Sequence, residues 1–92
     1  MDKPLVSIVI TSFNRLEELK ESVLRTKRDT AYSNIEIVIV DGGSTDGSAE
    51  FIESIDEENI FPVILGEDRG SAYSHSKGME FARGKYVITI DD

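Results

Sequence analysis

The sequence predicts an α/β fold: an open parallel sheet of about four strands with helices on both faces. Three observations lead there. Four short runs rich in Val and Ile, at Leu5 to Ile10, Ile35 to Val40, Pro62 to Leu65 and Tyr86 to Ile90, are bounded by Gly, Pro, Asn or Asp and read as strands. The first, second and fourth runs are almost continuously apolar rather than alternating, the pattern of strands covered on both faces and hence of a parallel sheet. Helix-period segments lie between the runs, so the order is β-α-β-α-β-α-β, and right-handed crossovers place the helices on both faces.

The elements follow in order. The first helix runs from Leu16 to Arg28, with Leu16, Leu19, Val23 and Leu24 on one face. Asn14 is its N-cap, Glu17 three residues on completes a variant of the capping box, and Lys27 and Arg28 suit the C-terminal dipole. A second helix starts at Ser44 or Thr45 and runs to about Ile55, burying Phe51, Ile52 and Ile55, with the acidic stretch 53–58 as a solvated end. The third runs from Ser71 to Arg83 with Ala72, Met79 and Ala82 inward and Gly84 as its stop. Tyr73, Met79 and Phe81 read as core rather than as a platform for stacking bases. The fourth strand closes on Asp91 and Asp92, and nothing after it covers the sheet edge. The reading is therefore a single partial domain over residues 1–92, part of a longer protein, with self-association through the open edge expected.

Composition narrows the functions. Ninety-two residues hold one small domain, which buries roughly 60–65% of its unfolded surface. With 39% apolar and 30% charged residues the chain is too apolar for disorder. Eighteen acidic against ten basic residues, a net charge of -8, argue against binding to nucleic-acid phosphates or to anionic lipid. The lack of cysteine excludes disulfides, Cys-zinc sites and thiol catalysis. No apolar run approaches the ~20 residues of a membrane helix, and Met-Asp-Lys-Pro opens no signal peptide. A cytoplasmic location is expected, with the longer parent free to be membrane-associated.

Open parallel sheets bind ligands beyond the carboxyl ends of their strands. Those ends carry Thr11-Ser12-Phe13-Asn14-Arg15, then Asp41-Gly42-Gly43-Ser44-Thr45-Asp46-Gly47, then Gly66-Glu67-Asp68-Arg69-Gly70, then Asp91-Asp92. Taken singly, each turn is explained by capping and by positive φ. The two adjacent carboxylates are harder to dismiss, because they repel unless a cation or hydrogen bonds compensate. Oxygen-only ligands on such a rim suit Mg²⁺ or Mn²⁺ holding a diphosphate. The chain lacks GxxxxGK[ST], GxGxxG after the first strand, and a Gly-x-Ser-x-Gly elbow. His75, the sole histidine, falls mid-helix and reads as a packing or surface residue.

The motifs together resemble family 2 glycosyltransferases. Residues 4–15, PLVSIVITSFNR, are similar to that family's opening P-x-V-S-I-V-I-P-T-Y-N-R. Residues 37–48, IVIVDGGSTDGS, resemble its I-I-V-V-D-D-G-S-T-D-G-T, and residues 67–84, EDRGSAYSHSKGMEFARG, its E-x-D-x-G-x-x-x-A-x-N-x-G-x-x-x-A-x-G. Residues 86–92 resemble the strand leading into its D-x-D. The resemblance implies the N-terminal half of a GT-A fold, with its Rossmann-like sheet, and a nucleotide-sugar donor site. Thr11 and Phe13 would line the nucleoside pocket, with Arg15 in the same motif. The turn from Asp41 through Gly43 to Ser44 would face base and ribose, and Arg69 and Lys77 would neutralise diphosphate. Asp91 would be the first Asp of D-x-D and Asp92 its middle residue, or Asp92 the penultimate acid in a register one later. Either way they make an incomplete Mg²⁺ or Mn²⁺ site. Gly42 stands where many members carry a second Asp that bonds a uracil ring, Thr11 where Pro is usual, Ser76 where Asn is common and His75 where Arg often occurs.

The function this implies is inverting transfer of a sugar from a UDP-, GDP- or dTDP-sugar to a glycan, lipid-linked or protein acceptor. The general base lies outside these residues, so residues 1–92 alone are expected to be inactive. The rival is a non-catalytic α/β nucleotide-binding or oligomerisation module. A receiver-like domain fails on order, because the first strand ends in Thr-Ser-Phe-Asn rather than an acidic pair.

Overall fold

The computed structural model describes residues 3–91, the side chain of Asp91 excepted; Asp92 lies outside the described residues. The elements are β1 (Val6–Ser12), α1 (Leu16–Asp29), β2 (Ile35–Asp41), α2 (Ser48–Glu53), β3 (Ile60–Ile64), α3 (Ser71–Phe81) and β4 (Tyr86–Asp91). All pairings are parallel and the strand order is β3-β2-β1-β4. Register sets Ile8 between Ile37 and Ile88, and Ile10 between Ile39 and Ile90.

Because side chains alternate across a strand, this register sorts two cores onto two faces. One face stacks Ile8, Ile10, Ile37, Ile39 and Ile60 against Leu19 and Val23 of α1 and Ile52 of α2. The other gathers Val9, Val38, Val40 and Val63 beneath α3, with Leu65 and Ala82 at its margin. The continuous apolarity of β1 and β2 therefore has the cause expected of it. β1 and β2 each run further than the apolar pattern suggested, to Ser12 and Asp41, so that polar residues reach the rim. β3 contains Pro62, which is tolerated because β3 is an edge strand.

Several expectations are corrected. Leu24 is 64% exposed, and the inward stripe of α1 is Leu19 and Val23. Asn14 does not cap α1: it sits at φ 51, and the Leu16 amide instead donates to Asp46 Oδ2 at 3.0 Å. α2 begins at Ser48, because residues 44–47 are held in a turn that ends in the left-handed Gly47. α3 stops at Phe81, and its buried residues are Ser74 and Gly78 rather than Ala72 or Met79. Met79 and Phe81 are 53% and 59% exposed, and Tyr73 is half-buried. The reason is proximity: a Cβ on Gly78 would lie 2.4 Å from Val9 Cγ1 and 3.0 Å from Val40 Cγ2. The helix rests on the valine face by its smallest residues, and its larger ones are displaced to the flanks. β4 is not covered on both faces either. It is an edge strand with Tyr86 and Ile88 more than half exposed, since the helices gather over β1, β2 and β3.

A buried polar network ties the far end of the sheet. Glu36 is 2% exposed and accepts from Ser7 Oγ at 2.6 Å, the Arg83 amide at 2.6 Å and Arg83 Nε at 2.9 Å. Ser7 Oγ in turn accepts from the Gly84 amide at 2.8 Å. Burial alone would push the Glu36 carboxyl up, but the hydrogen bonds from Ser7 and Arg83, with the guanidinium charge, outweigh it and hold it below its ordinary value. The network clamps the α3–β4 turn to the starts of β1 and β2, opposite the rim where the strands end.

Candidate functional site

At the carboxyl rim the β1–α1 and β2–α2 turns are knitted together. The Asn14 amide donates to Ser44 Oγ at 2.8 Å, and the Thr45 amide donates back to Asn14 Oδ1 at 2.7 Å. Asp46 binds both helix starts, taking the Leu16 amide on Oδ2 and the Ser48 amide and hydroxyl on Oδ1 at 3.1 and 2.6 Å. The Ser48 hydroxyl, opposed by partial burial and helped by the two amides, holds the Asp46 carboxyl below its usual value. Asp41 is 1% exposed and closes its own turn, its Oδ2 accepting from the amides of Gly43 at 3.2 Å and Ser44 at 3.0 Å. Gly43 takes φ 99, and a Cβ there would lie 2.5 Å from the Glu67 carbonyl carbon. Glycine is thus required by both conformation and the close pass of the 67–68 backbone.

Between these turns and the start of α3 lies a cavity of about 180 Å³. Thr11, Ser12 and Phe13 of the first turn and Gly42 of the second form one side; Asp68, Gly70, Ser71 and Ser74 form the other. Thr11 and Ser12 are buried, while Phe13 is 43% exposed and available for stacking. Two buried side-chain atoms at this rim, Ser12 Oγ and Asp41 Oδ1, have no hydrogen-bond partner among the described residues. Buried polar atoms are rarely left unpaired, so both are open to a water or a ligand at this rim. Asp68 Oδ1 accepts from the Gly70 amide at 2.9 Å, which ties it to the N-terminus of α3.

Of the residues singled out from the sequence, the structure brings Thr11 and Phe13 to the cavity wall. Asp41, Gly43 and Ser44 stand behind it and shape the turn. Arg15 lies at the start of α1, 3.9 Å from Glu18 and away from the cavity wall. Arg69 and Lys77 meet over one ring, 5.3 and 5.5 Å from the centroid of Tyr73. Each is held firmly cationic by a neighbouring carboxylate, Glu67 and Glu80 respectively. The Asp91 backbone pairs beside Thr11, which sets it at the same rim. Its side chain and the whole of Asp92 are outside the described residues, and among the described residues no group of three or more His, Asp or Glu is placed to hold a metal ion. Sequence reasoning did not single out Ser12, Asp68, Ser71 or Ser74. The signal available was the Asp68-Arg69-Gly70-Ser71 turn, an Asp two residues before a glycine that opens a helix.

Residues 7–92 match the family model described as glycosyl transferase family 2. The chain belongs to this family. It is 40% identical over 92 residues to an undecaprenyl-phosphate 4-deoxy-4-formamido-L-arabinose transferase of Pseudomonas fluorescens, covering 94% of this chain and 27% of that protein. It is 35% identical over 89 residues to glycosyltransferase GlyG of Streptococcus pneumoniae, covering 95% of this chain and 29% of the relative. Among solved structures, a mannosyltransferase of Pyrobaculum calidifontis in complex with GDP-Man and Mn²⁺ superposes with a TM-score of 0.82 at 25% identity, over 98% of this chain and 28% of that one. The chain therefore spans under a third of the length of each of these proteins. The fold is the Rossmann-like portion of the GT-A architecture.

Proposed function

We propose that this chain forms the donor-nucleotide site of an inverting, family 2 glycosyltransferase. The parent would move a sugar from a nucleoside-diphosphate donor to a glycan, lipid-linked or protein acceptor. The observation that carries the reading is the rim cavity, with an exposed Phe13 face beside the buried, unpartnered Ser12 hydroxyl. Phe13 would stack on the nucleoside, Thr11 would line its pocket, and the 41–44 turn would set the position of base and ribose. Arg69 and Lys77, cationic and on the α3 side, would face the diphosphate, with Arg15 at the outer edge. Asp91 and Asp92 supply oxygen donors of the kind that Mg²⁺ or Mn²⁺ prefers. When bound, such an ion would offset charge on the leaving diphosphate. The GDP-Man and Mn²⁺ complex of the mannosyltransferase neighbour supports a nucleotide-sugar donor and a divalent ion. The undecaprenyl-phosphate transferase supports a lipid-linked acceptor among the possibilities.

In the transfer, the acceptor oxygen forms a bond to the anomeric carbon as the bond to the diphosphate oxygen breaks on the opposite face, and the acceptor proton passes to a carboxylate base. No residue of 1–92 is assigned that role, so these residues alone should show no transfer. No helix among the described residues is long and apolar enough to cross a membrane. A cytoplasmic site of action, with a parent free to be membrane-associated, belongs to the same proposal. So does self-association through the open β4 edge, which a monomeric sedimentation profile at high concentration would remove.

The test is a titration of the chain with UDP, GDP and dTDP, each with and without Mn²⁺, followed by amide NMR shifts. Shifts concentrated at residues 11–13, 41–44 and 91–92 are the expected result. A folded chain with no shift for any nucleotide would leave the non-catalytic module as the better reading.

A further inference from the structure

We propose that the cavity selects guanine as the donor base and that Asp68 is the residue that reads it. The inference rests on the donor-site reading above and names the base that site takes.

Gly42 is the first part of the argument. It is not among the glycines at positive φ, so its backbone does not demand glycine. A Cβ there would lie 3.3 Å from Ser74 Oγ, 3.4 Å from the Ser12 carbonyl oxygen and 3.6 Å from Phe13 Cβ, all residues of the cavity wall. Position 42 is therefore closely walled by these residues, and glycine offers no side-chain group to a base.

The polar side chains left to meet a base edge beyond Thr11 are the hydroxyls of Ser12, Ser71 and Ser74 and the carboxylate of Asp68. Hydroxyls both donate and accept, so they discriminate little; an ionised carboxylate only accepts. Asp68 Oδ1 is oriented by the Gly70 amide, and no hydrogen bond reaches Oδ2 among the described residues. A carboxylate held by one oxygen in this way presents two parallel acceptor directions. Guanine places two N–H donors side by side, N1–H and the N2 amino group, and matches them with a pair of charge-assisted bonds. Uracil and thymine place a single N3–H between two carbonyl oxygens, so the second carboxylate oxygen would face a carbonyl. Adenine sets an acceptor beside its amino group.

The test uses the chain itself with GDP, IDP, UDP and ADP, read from the amide shifts of Ser12, Gly42 and Ser74. IDP lacks only the N2 amino group. GDP should bind tightest, IDP about tenfold more weakly, and UDP and ADP more weakly still. Asp68→Asn keeps the oxygen that caps Gly70 but replaces the second acceptor with a donor, which suits an N–H beside a carbonyl, as in uracil N3–H/O4 or the N1–H/O6 edge shared by guanine and hypoxanthine, and leaves the guanine N2 amino group without its acceptor. It should abolish the roughly tenfold preference for GDP over IDP and move the GDP-to-UDP ratio toward UDP. A wild-type chain that binds UDP at these residues as well as GDP overturns the guanine assignment and leaves the nucleotide site standing. An Asp68→Asn chain that weakens every nucleotide equally also overturns it, and would move Asp68 to the ribose. Absence of shifts with all four nucleotides overturns both this inference and the donor-site reading.

Discussion

Gly78→Ala is the sharpest test of how α3 sits on the sheet. In an ordinary helix this change stabilises by about 1 kcal/mol, because alanine loses less backbone entropy. Here the new Cβ would fall 2.4 Å from Val9 Cγ1 and 3.0 Å from Val40 Cγ2. The first distance is about 1 Å short of a normal carbon–carbon contact of ~3.5 Å. Val9 and Val40 are both at 0% exposure. Both are β-branched and stiff at χ1, so they cannot swing clear, and the helix must lift instead. Overpacking of this kind costs about 1–3 kcal/mol, and two immobile neighbours place it near the top of that range. The expected net loss is about 1–2 kcal/mol, which lowers the melting temperature of a domain this size by about 5–15 °C. Urea and thermal denaturation followed by circular dichroism measure it, with an unchanged m-value as the sign that the unfolded state is not involved. Adding Val9→Ala should recover about 1 kcal/mol relative to the sum of the single changes, since the two sites touch. A Gly78→Ala chain as stable as the wild type, or more so, would refute the close seating of α3, and with it the cavity wall that Ser74 supplies from the same helix face.

Three further outcomes follow from other contacts. Glu36 is held below the ordinary glutamate value in the folded chain, so its contribution is present above that ordinary value and fades as pH falls through the lowered folded one. Glu36→Gln should cost about 2 kcal/mol at neutral pH and flatten the decline of stability below about pH 4.5; parallel pH profiles for the two chains would rule the network out as its source. Asp46→Ala removes acceptors from the starts of α1 and α2 at once, and hydrogen exchange should quicken together at the Leu16 and Ser48 amides, whereas unchanged rates would show that water caps both helices equally well. Phe13→Ala removes the exposed ring at the cavity and should weaken nucleoside diphosphate binding about tenfold or more without lowering the melting temperature, so a nucleotide affinity equal to wild type would take Phe13 out of the site.

The elements were legible because strands buried on both faces and helices buried on one write their periods into the residue string. LVSIVI and IEIVIV could be little else, and the polar turns at their carboxyl ends lie on the rim where open parallel sheets generally bind ligands. The local string also misled. Asn14 has the chemistry of an N-cap, but the bond to the Leu16 amide comes from Asp46, 30 residues away. Met79 and Phe81 are the large apolar side chains at the end of their helix, yet the helix buries Ser74 and Gly78. Glu36 and Ser7 carry no local signal of their role; they are paired neighbours in the β1–β2 register and partners in one buried network.

The sequence by itself determined the order of elements, the parallel sheet, the polar rim and the family, because each depends on periodicity or on motifs of a few adjacent residues. Tertiary structure decided which face of α3 meets the valines, which carboxylate caps which helix, and which side chains close around the cavity. Those depend on distances between segments remote in the chain. Thr11, Gly42 and Asp68 share no local pattern, and they meet only because parallel strands that all end at one rim carry three separate turns to the same place.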